Sequence, residues 1–156
     1  MYNKVYLDES FKIVEKLDKN KYEIWYMSYR GKPKNWYRVD KFLSKIPYEK
    51  AGKIYEQCDI LIKSSYFESF SYPPLEMMAT GGYCIVVPND GNKEYLKNEE
   101  NCLFYKLGDI ESAIQSIERL ISDIKLQQRF YENGLNTAKK RDWKNLKNQI
   151  LSLYEQ

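Results

Sequence analysis

Residues 59–82 read Asp59-Ile60-Leu61-Ile62-Lys63-Ser64-Ser65-Tyr66-Phe67-Glu68-Ser69-Phe70-Ser71-Tyr72-Pro73-Pro74-Leu75-Glu76-Met77-Met78-Ala79-Thr80-Gly81-Gly82, and the segment changes character twice. The run Ile60-Leu61-Ile62 is apolar without alternation. That predicts a strand at 59–63 buried on both faces, as in a parallel sheet. A loop rich in hydroxyls follows. Two prolines then open a helix predicted over 73–80, and two glycines close it. In sheets built from such strand–loop–helix units, ligands bind at the carboxyl ends of the strands. Glu68, in the loop, and Glu76, in the expected first turn of the helix, fall on that rim with seven residues between them. Carboxylates accept hydrogen bonds from sugar or ribose hydroxyls. A helix N-terminus offers free N–H groups and the positive end of its dipole to phosphate. Together they suit a ligand that carries both groups, such as a nucleotide sugar.

Outward from this segment, strands and helices alternate. On the N-terminal side, residues 9–17 have helical spacing after a cap at Asp8. Residues 22–29, rich in aromatics, read as a strand, residues 36–42 as a second strand, and residues 47–57 as a helix started by Pro47. On the C-terminal side, 83–87 and 101–105 are further apolar strands. Ile110, Ala113, Ile114, Ile117, Leu120 and Ile121 make one helical face behind a cap at Asp109. Residues 125–140 form another helix, and Asp142 caps a last one carrying Trp143, Leu146, Ile150 and Leu153. The pattern predicts an α/β fold: a Rossmann-like, doubly wound parallel sheet in one domain spanning 1–156.

Composition narrows the chemistry. The 156 residues include 25 basic and 22 acidic side chains, a net charge of +3, which does not argue for a nucleic-acid or membrane partner. There is no histidine, so Ser-His and Cys-His dyads, histidine bases and histidine metal sites are excluded. Cys58, Cys84 and Cys102 lack C-x-x-C spacing and suit a reducing cytoplasm. No apolar run is long enough to span a membrane, no signal core follows Met1, and neither common glycine-rich nucleotide loop is present.

Residues 59–87 resemble the signature of the family-4 (group 1) glycosyltransferases. That signature is a strand followed by Pro-Ser, Glu-Gly-Phe-Gly and a Pro-Leu-Glu-Ala-Met-Ala-x-Gly helix. Here the counterparts are Lys63-Ser64-Ser65, Glu68-Ser69-Phe70-Ser71 and Pro74-Leu75-Glu76-Met77-Met78-Ala79-Thr80-Gly81. Asp90-Gly91-Asn92-Lys93-Glu94-Tyr95 and Glu99-Glu100-Asn101-Cys102-Leu103 resemble the family's next turn and strand. The Ser-Tyr-Pro-Pro-Leu-Glu-Met-Met version is similar to a rhamnosyltransferase-like branch.

The resemblance implies the C-terminal, donor-binding half of a GT-B fold. The parent reaction would be a retaining, hexosyltransferase-class transfer of sugar from a nucleotide diphosphate to a hydroxyl acceptor in polysaccharide biosynthesis. Glu68, the catalytic candidate, would position the donor sugar with Ser69, Phe70 and Ser71 rather than attack it. Glu76 would hold the ribose, Tyr72 and Leu75 would face the diphosphate, and Ser65, Lys45 and Ile46 would complete the nucleotide site. No cofactor and no metal are expected. The resemblance further implies a longer enzyme whose N-terminal acceptor domain is absent from this chain, which alone is not expected to transfer sugar. A cytoplasmic location, at the inner membrane face for the full-length protein, and self-association through the last helix are further expectations.

Two departures stand out. Serines replace the two glycines of Glu-Gly-Phe-Gly, where glycine would permit closer backbone approach. The family's first strand, glycine turn and diphosphate-gripping Arg and Lys have no clear counterpart, residues 2–7 being either a truncated strand or the start of the helix.

Plainer readings stand beside these. Glu76 would simply favour a helix N-terminus, Glu68 and Lys63 would be solvated, and the serines would serve turns. The cluster of Tyr26, Tyr29, Trp36 and Tyr37 with Arg30, Lys32, Lys34 and Arg38 would line the nucleotide or face the absent domain. No recognition motif surrounds it, so nucleic acid is not expected. A noncatalytic interaction module is the rival for the whole chain. An epimerase would need histidines. The base, the sugar and the acceptor leave no signature.

Overall fold

A computed structural model describes residues 8–152. The expectations made for residues 2–7, for Leu153 and for the side chain of Ile150 fall outside the residues described. The elements run α1 (Glu9–Glu15), β1 (Trp25–Ser28), β2 (Lys41–Ser44), α2 (Tyr48–Tyr55), β3 (Ile60–Lys63), α3 (Tyr72–Ala79), β4 (Tyr83–Val86), β5 (Leu103–Phe104), α4 (Ile110–Ser122), α5 (Ile124–Lys140) and α6 (Trp143–Ser152). Every strand pairing among the described residues is parallel. Among the described residues the strands form two hydrogen-bonded groups, β1–β2 and β3–β4–β5, instead of the one continuous sheet expected.

Alternation along β4 shows why helices cover both faces. Ile85 and Val87 point into a core with Ile13, Val14, Ile117, Leu120 and Phe130 of α1, α4 and α5. Cys84 and Val86 point the other way, into a core with Tyr55, Met77 and Met78 of α2 and α3. Helix α5 serves both sides. Phe130 fills the first core, and Gly134 lets α3 approach so closely that a Cβ there would stand 3.3 Å from Met78 Cγ.

Several local expectations are corrected. Asp8 stands at the N-cap of α1 without capping it: its φ of −100° and ψ of 3° are not the extended geometry that turns a carboxylate onto the helix N–H groups. Its carboxylate instead takes Lys34 and Tyr37. These bonds, Lys34 first, hold its pKa below the usual carboxylate value. The second strand shifts from 36–42 to 41–44 because Tyr37 N–H closes a turn on the Lys34 carbonyl at 2.9 Å. The strand at 101–105 shrinks to two residues. There the Asn101 side chain accepts from Lys97 N–H and donates to the Tyr95 carbonyl, making a turn in place of a ladder. Asp109 and Asp142 do cap their helices, accepting from Ser112 and Lys144.

The basic–aromatic cluster is divided: Tyr26, Tyr37 and Arg38 pack inward, while Tyr29, Arg30, Lys32, Lys34 and Trp36 are exposed. Tyr37 stacks on Phe11 with 3.5 Å between centroids, and Tyr26 packs edge-on to Phe11. The Arg38 guanidinium donates to the carbonyls of Val14 (3.1 Å), Leu17 (2.7 Å) and Tyr22, closing the open end of α1. Arg38→Ala is therefore expected to cost about 2 kcal/mol in urea unfolding, the scale of lost bonds to a charged donor. Arg38→Lys should recover only part of it, because a lysine lacks the planar fork. An unchanged urea midpoint for Arg38→Ala would remove the helix-closing role.

Candidate functional site

The loop 64–71 and the start of α3 stand at the carboxyl end of β3. The helix begins at Tyr72, preceded by Ser71 in extended geometry with φ −101° and ψ 93°. Tyr72 therefore takes the first helical position, and Pro73 and Pro74 the second and third. Glu76 is the fifth residue, in the second turn rather than the first as expected. Prolines tolerate the first turn because its N–H groups have no helical acceptor, and this draws the start of the helix N-terminal to Glu76. The dipole effect fades beyond the first turn, so the plain helix-favouring account of Glu76 loses most of its force.

The two prolines have a second consequence. Of the four N–H groups that a helix N-terminus leaves open, here those of residues 71 to 74, two are missing at Pro73 and Pro74, and the backbone donors left are those of Ser71 and Tyr72. A serine N-cap bonds the second or third N–H of its helix, and here both positions are prolines. The Ser71 Oγ is accordingly buried with no hydrogen-bond partner. At its other end, α3 closes conventionally: Gly81 adopts φ +84° against the Tyr131 ring.

The two carboxylates have different neighbours. Glu68 Oε1 pairs with Lys63 Nζ at 2.7 Å, and the same ammonium donates to Ser65 Oγ at 3.0 Å. The Lys63 side chain is 18% exposed, which corrects the solvated reading. Glu76 is half-buried beside the Tyr55 phenol of α2, whose pKa is raised first by burial and second by the Glu76 charge. Phe70 packs on Tyr95 and Tyr72. Ser69 and Tyr72 are exposed, and Leu75 is half-buried against the α2–α3 core. Ser64 Oγ meets Ser10 Oγ of α1 at 2.8 Å. Lys45, at φ +52°, and Ile46 follow β2.

Among the described residues, a cavity of about 410 Å³ is walled by Lys63 and Ser65, by Pro73 of α3, and by Tyr26 and Leu43 of the other strand pair. Also among the described residues, no three Cys, Asp or Glu side chains converge as metal ligands, and no helix is long and apolar enough to cross a membrane. On α6, Trp143 and Leu151 are exposed and Leu146 is half-buried.

Sequence reasoning expected a turn at 90–95 but missed how it braces the loop before α3. Asn89 and Asn92 are buried and bond each other's backbone N–H groups, and Asn89 Nδ2 donates to the Ser65 carbonyl at 2.9 Å. The available signal was the Asn-Asp-Gly-Asn run at 89–92, whose residues favour turns.

A family model described as Glycosyl transferases group 1 matches residues 39–137. The chain is similar to the solved C-terminal domain of a group 1 family glycosyl transferase, LpcC, from Francisella tularensis. That match has 24% identity and a TM-score of 0.57 over 65% of this chain and 52% of that one. Anabaena HepE, solved in complex with UDP-glucose, matches at 20% identity and a TM-score of 0.65 over 74% and 32% of the two chains. A glycosyltransferase from Rickettsia africae matches at 15% identity and a TM-score of 0.73, over 97% of this chain and 43% of that one. These neighbours show the GT-B glycosyltransferase fold. The curated relatives are 24–29% identical, and this chain spans 8–30% of their lengths.

Proposed function

The chain belongs to the glycosyl transferases group 1 family, and from that premise we propose that it is the donor-binding half of a retaining hexosyltransferase. In this reading it binds a nucleoside diphosphate sugar for transfer to a hydroxyl acceptor. The supporting observation is the order of groups around α3: Glu68 lies before its open first turn and Glu76 one turn beyond it. A ligand built as sugar, diphosphate and ribose presents its parts in the same order. Glu76 accepts from the ribose hydroxyls, with Lys45 and Ile46 toward the base. The first turn of α3, from Tyr72 to Leu75, meets the diphosphate with its open N–H groups. Glu68, Ser69, Phe70 and Ser71 hold the sugar, with Ser65 beside them. HepE, which shares the fold, is solved with UDP-glucose, and that supports a ligand of this class.

During transfer, the bond from the anomeric carbon to the diphosphate oxygen breaks and its electron pair leaves with the diphosphate, while the acceptor hydroxyl oxygen bonds the anomeric carbon and its proton passes to the departing diphosphate. With two of the first-turn donors lost to proline, a cation is needed to stabilise that charge. Lys63, held at the strand end beside Glu68, supplies it without a metal. The acceptor comes from a further domain, so this chain alone is expected to bind donor without transferring it. The exposed Trp143 and Leu151 of α6 offer such a domain, or a second copy, an apolar contact.

Calorimetric titration with several nucleoside diphosphates and their sugars tests the reading. Saturable binding of one of them is expected, and binding of none would overturn it. Glu68→Ala should weaken the nucleotide sugar about tenfold, the loss of one bond to a charged group. The same variant should bind bare nucleotide as well as wild type or better, because Lys63 loses its resting counter-ion.

A further inference from the structure

The loop that carries Glu68 is held at three points from the neighbouring turn. Its Ser65 carbonyl takes the Asn89 amide at 2.9 Å. Its Ser71 carbonyl takes the Tyr95 hydroxyl, while the Tyr95 ring lies 5.3 Å from that of Phe70. Between these points the contact is steric: a Cβ on Gly91 would stand 2.3 Å from the Glu68 carbonyl oxygen and 2.9 Å from the Ser69 carbonyl carbon. The turn is itself fixed. Asn89 and Asn92 close it reciprocally, and Asn92 Nδ2 anchors it to the Val87 carbonyl at 3.0 Å, just beyond β4. Asn92 and Tyr95 are 1% and 4% exposed, so the side chains that make the bracket are buried.

We propose that segment 89–95 is the positioning element of the donor site: it sets the backbone of 68–71 from outside and thereby the protein's preference for a sugar-bearing nucleotide over the bare one. This rests on the reading of 68–71 as the sugar-facing loop. The ribose carboxylate is held by other means. Helix α3 is locked by Met77 and Met78, each 1% exposed, and by the close approach of Gly134 in α5. A disturbance in the turn therefore moves the sugar loop and leaves Glu76 in place. A side chain at residue 91 must displace the Glu68–Ser69 peptide by roughly 1 Å to reach ordinary contact distance. Misplacement on that scale is enough to cost on the order of a hundredfold where geometry matters.

The test is calorimetry on the full chain with UDP, GDP and TDP, each with and without an attached glucose, read as the ratio of sugar-nucleotide to nucleotide affinity. Gly91→Ala is expected to cut that ratio tenfold or more while bare-nucleotide affinity stays within twofold. Tyr95→Phe, which keeps the ring and removes the bond to Ser71, should cut it about threefold, and it remains informative where Gly91→Ala does not fold. Equal weakening of both ligands would show a merely structural turn and overturn the proposal, as would an unchanged ratio. Wild-type protein that binds the nucleotides but gains nothing from the sugar would overturn the assignment of 68–71, and the proposal with it. Wild-type protein that binds no diphosphate would overturn the donor-binding reading itself.

Discussion

Replacing Phe130 with alanine is expected to cost the domain about 3–5 kcal/mol, the usual penalty for emptying a fully buried phenylalanine site. Phe130 is 1% exposed and meets α1, α4 and β4 in one core. The ring has neither solvent nor a gap to relax into, so the transfer loss and the cavity loss add. Against a typical total of about 5–15 kcal/mol the variant stands near the edge of folding, and its midpoint should fall by on the order of 10 °C. Ile124, on the same helix and 77% exposed, provides the control: Ile124→Ala should stay within about 0.5 kcal/mol. Thermal and urea unfolding of both variants reads the difference. A Phe130→Ala cost below about 1 kcal/mol would mean that α5 is not part of the core, and that the packing of Gly134 against α3 does not steady the helix carrying Glu76. Folded Phe130→Ala protein at low temperature should bind nucleotide as wild type does, because nothing in the donor loop touches this ring.

The order of elements was legible because apolar runs without alternation at 60–62 and 84–87 mean strands covered on both faces, and the two cores on either side of β4 are that cover. Strand ends were less legible, for reasons found in single side chains. Asn101 spends its amide on Lys97 and Tyr95 and converts an expected strand start into a turn. Lys34 and Tyr37 close a turn where a strand at 36–42 was expected to begin. Asp8 had the residue type of a cap but met a lysine and a tyrosine 26 and 29 residues away, which outcompeted the helix. A residue's local preference is a weak prior once a charged partner arrives from outside the window.

The same distinction runs through the site. Glu68 and Glu76 could be singled out as candidates because their spacing is local and their helix announces itself by two prolines and two glycines. Lys63 was read as solvated because a lysine at a strand end usually is, whereas the chain turns back within five residues and gives it Glu68. The Arg38 closure of α1 and the Asn89 bond to the Ser65 carbonyl were invisible: each carries a side chain to backbone carbonyls 16 to 24 residues away and leaves no period or spacing behind. The orphaned Ser71 hydroxyl is intermediate. Its cause, prolines at the two positions a serine cap serves, is written in the sequence at residues 71–74 but is readable only once the helix start is fixed at Tyr72.

Glu76→Ala is expected to weaken nucleoside diphosphate binding by tenfold to a hundredfold or more without unfolding the domain. In the second turn of α3 its carboxylate gains little from the helix dipole, and it is half-buried beside Tyr55 rather than paired with a cation. Its loss therefore leaves no uncompensated buried charge but takes an acceptor from the buried Tyr55 hydroxyl, and stability should fall by about 1–2 kcal/mol. As a ligand acceptor it is worth far more. Each ribose hydroxyl bonded to a carboxylate contributes about 1.5–3 kcal/mol, so one lost bond is about a decade in affinity and two are about two decades or more. Glu76→Gln should fall between, since its amide keeps one acceptor oxygen. The 2′-deoxy nucleotide supplies the complementary test from the ligand's side. Wild type should lose about as much on 2′-deoxy substitution as one of these bonds provides, and Glu76→Ala should not distinguish the two nucleotides. Calorimetry of both proteins with both ligands closes that cycle. If Glu76→Ala binds as tightly as wild type, or still discriminates against the deoxy ligand, the ribose is held elsewhere, and the alignment of sugar, diphosphate and ribose along α3 fails at its anchored end.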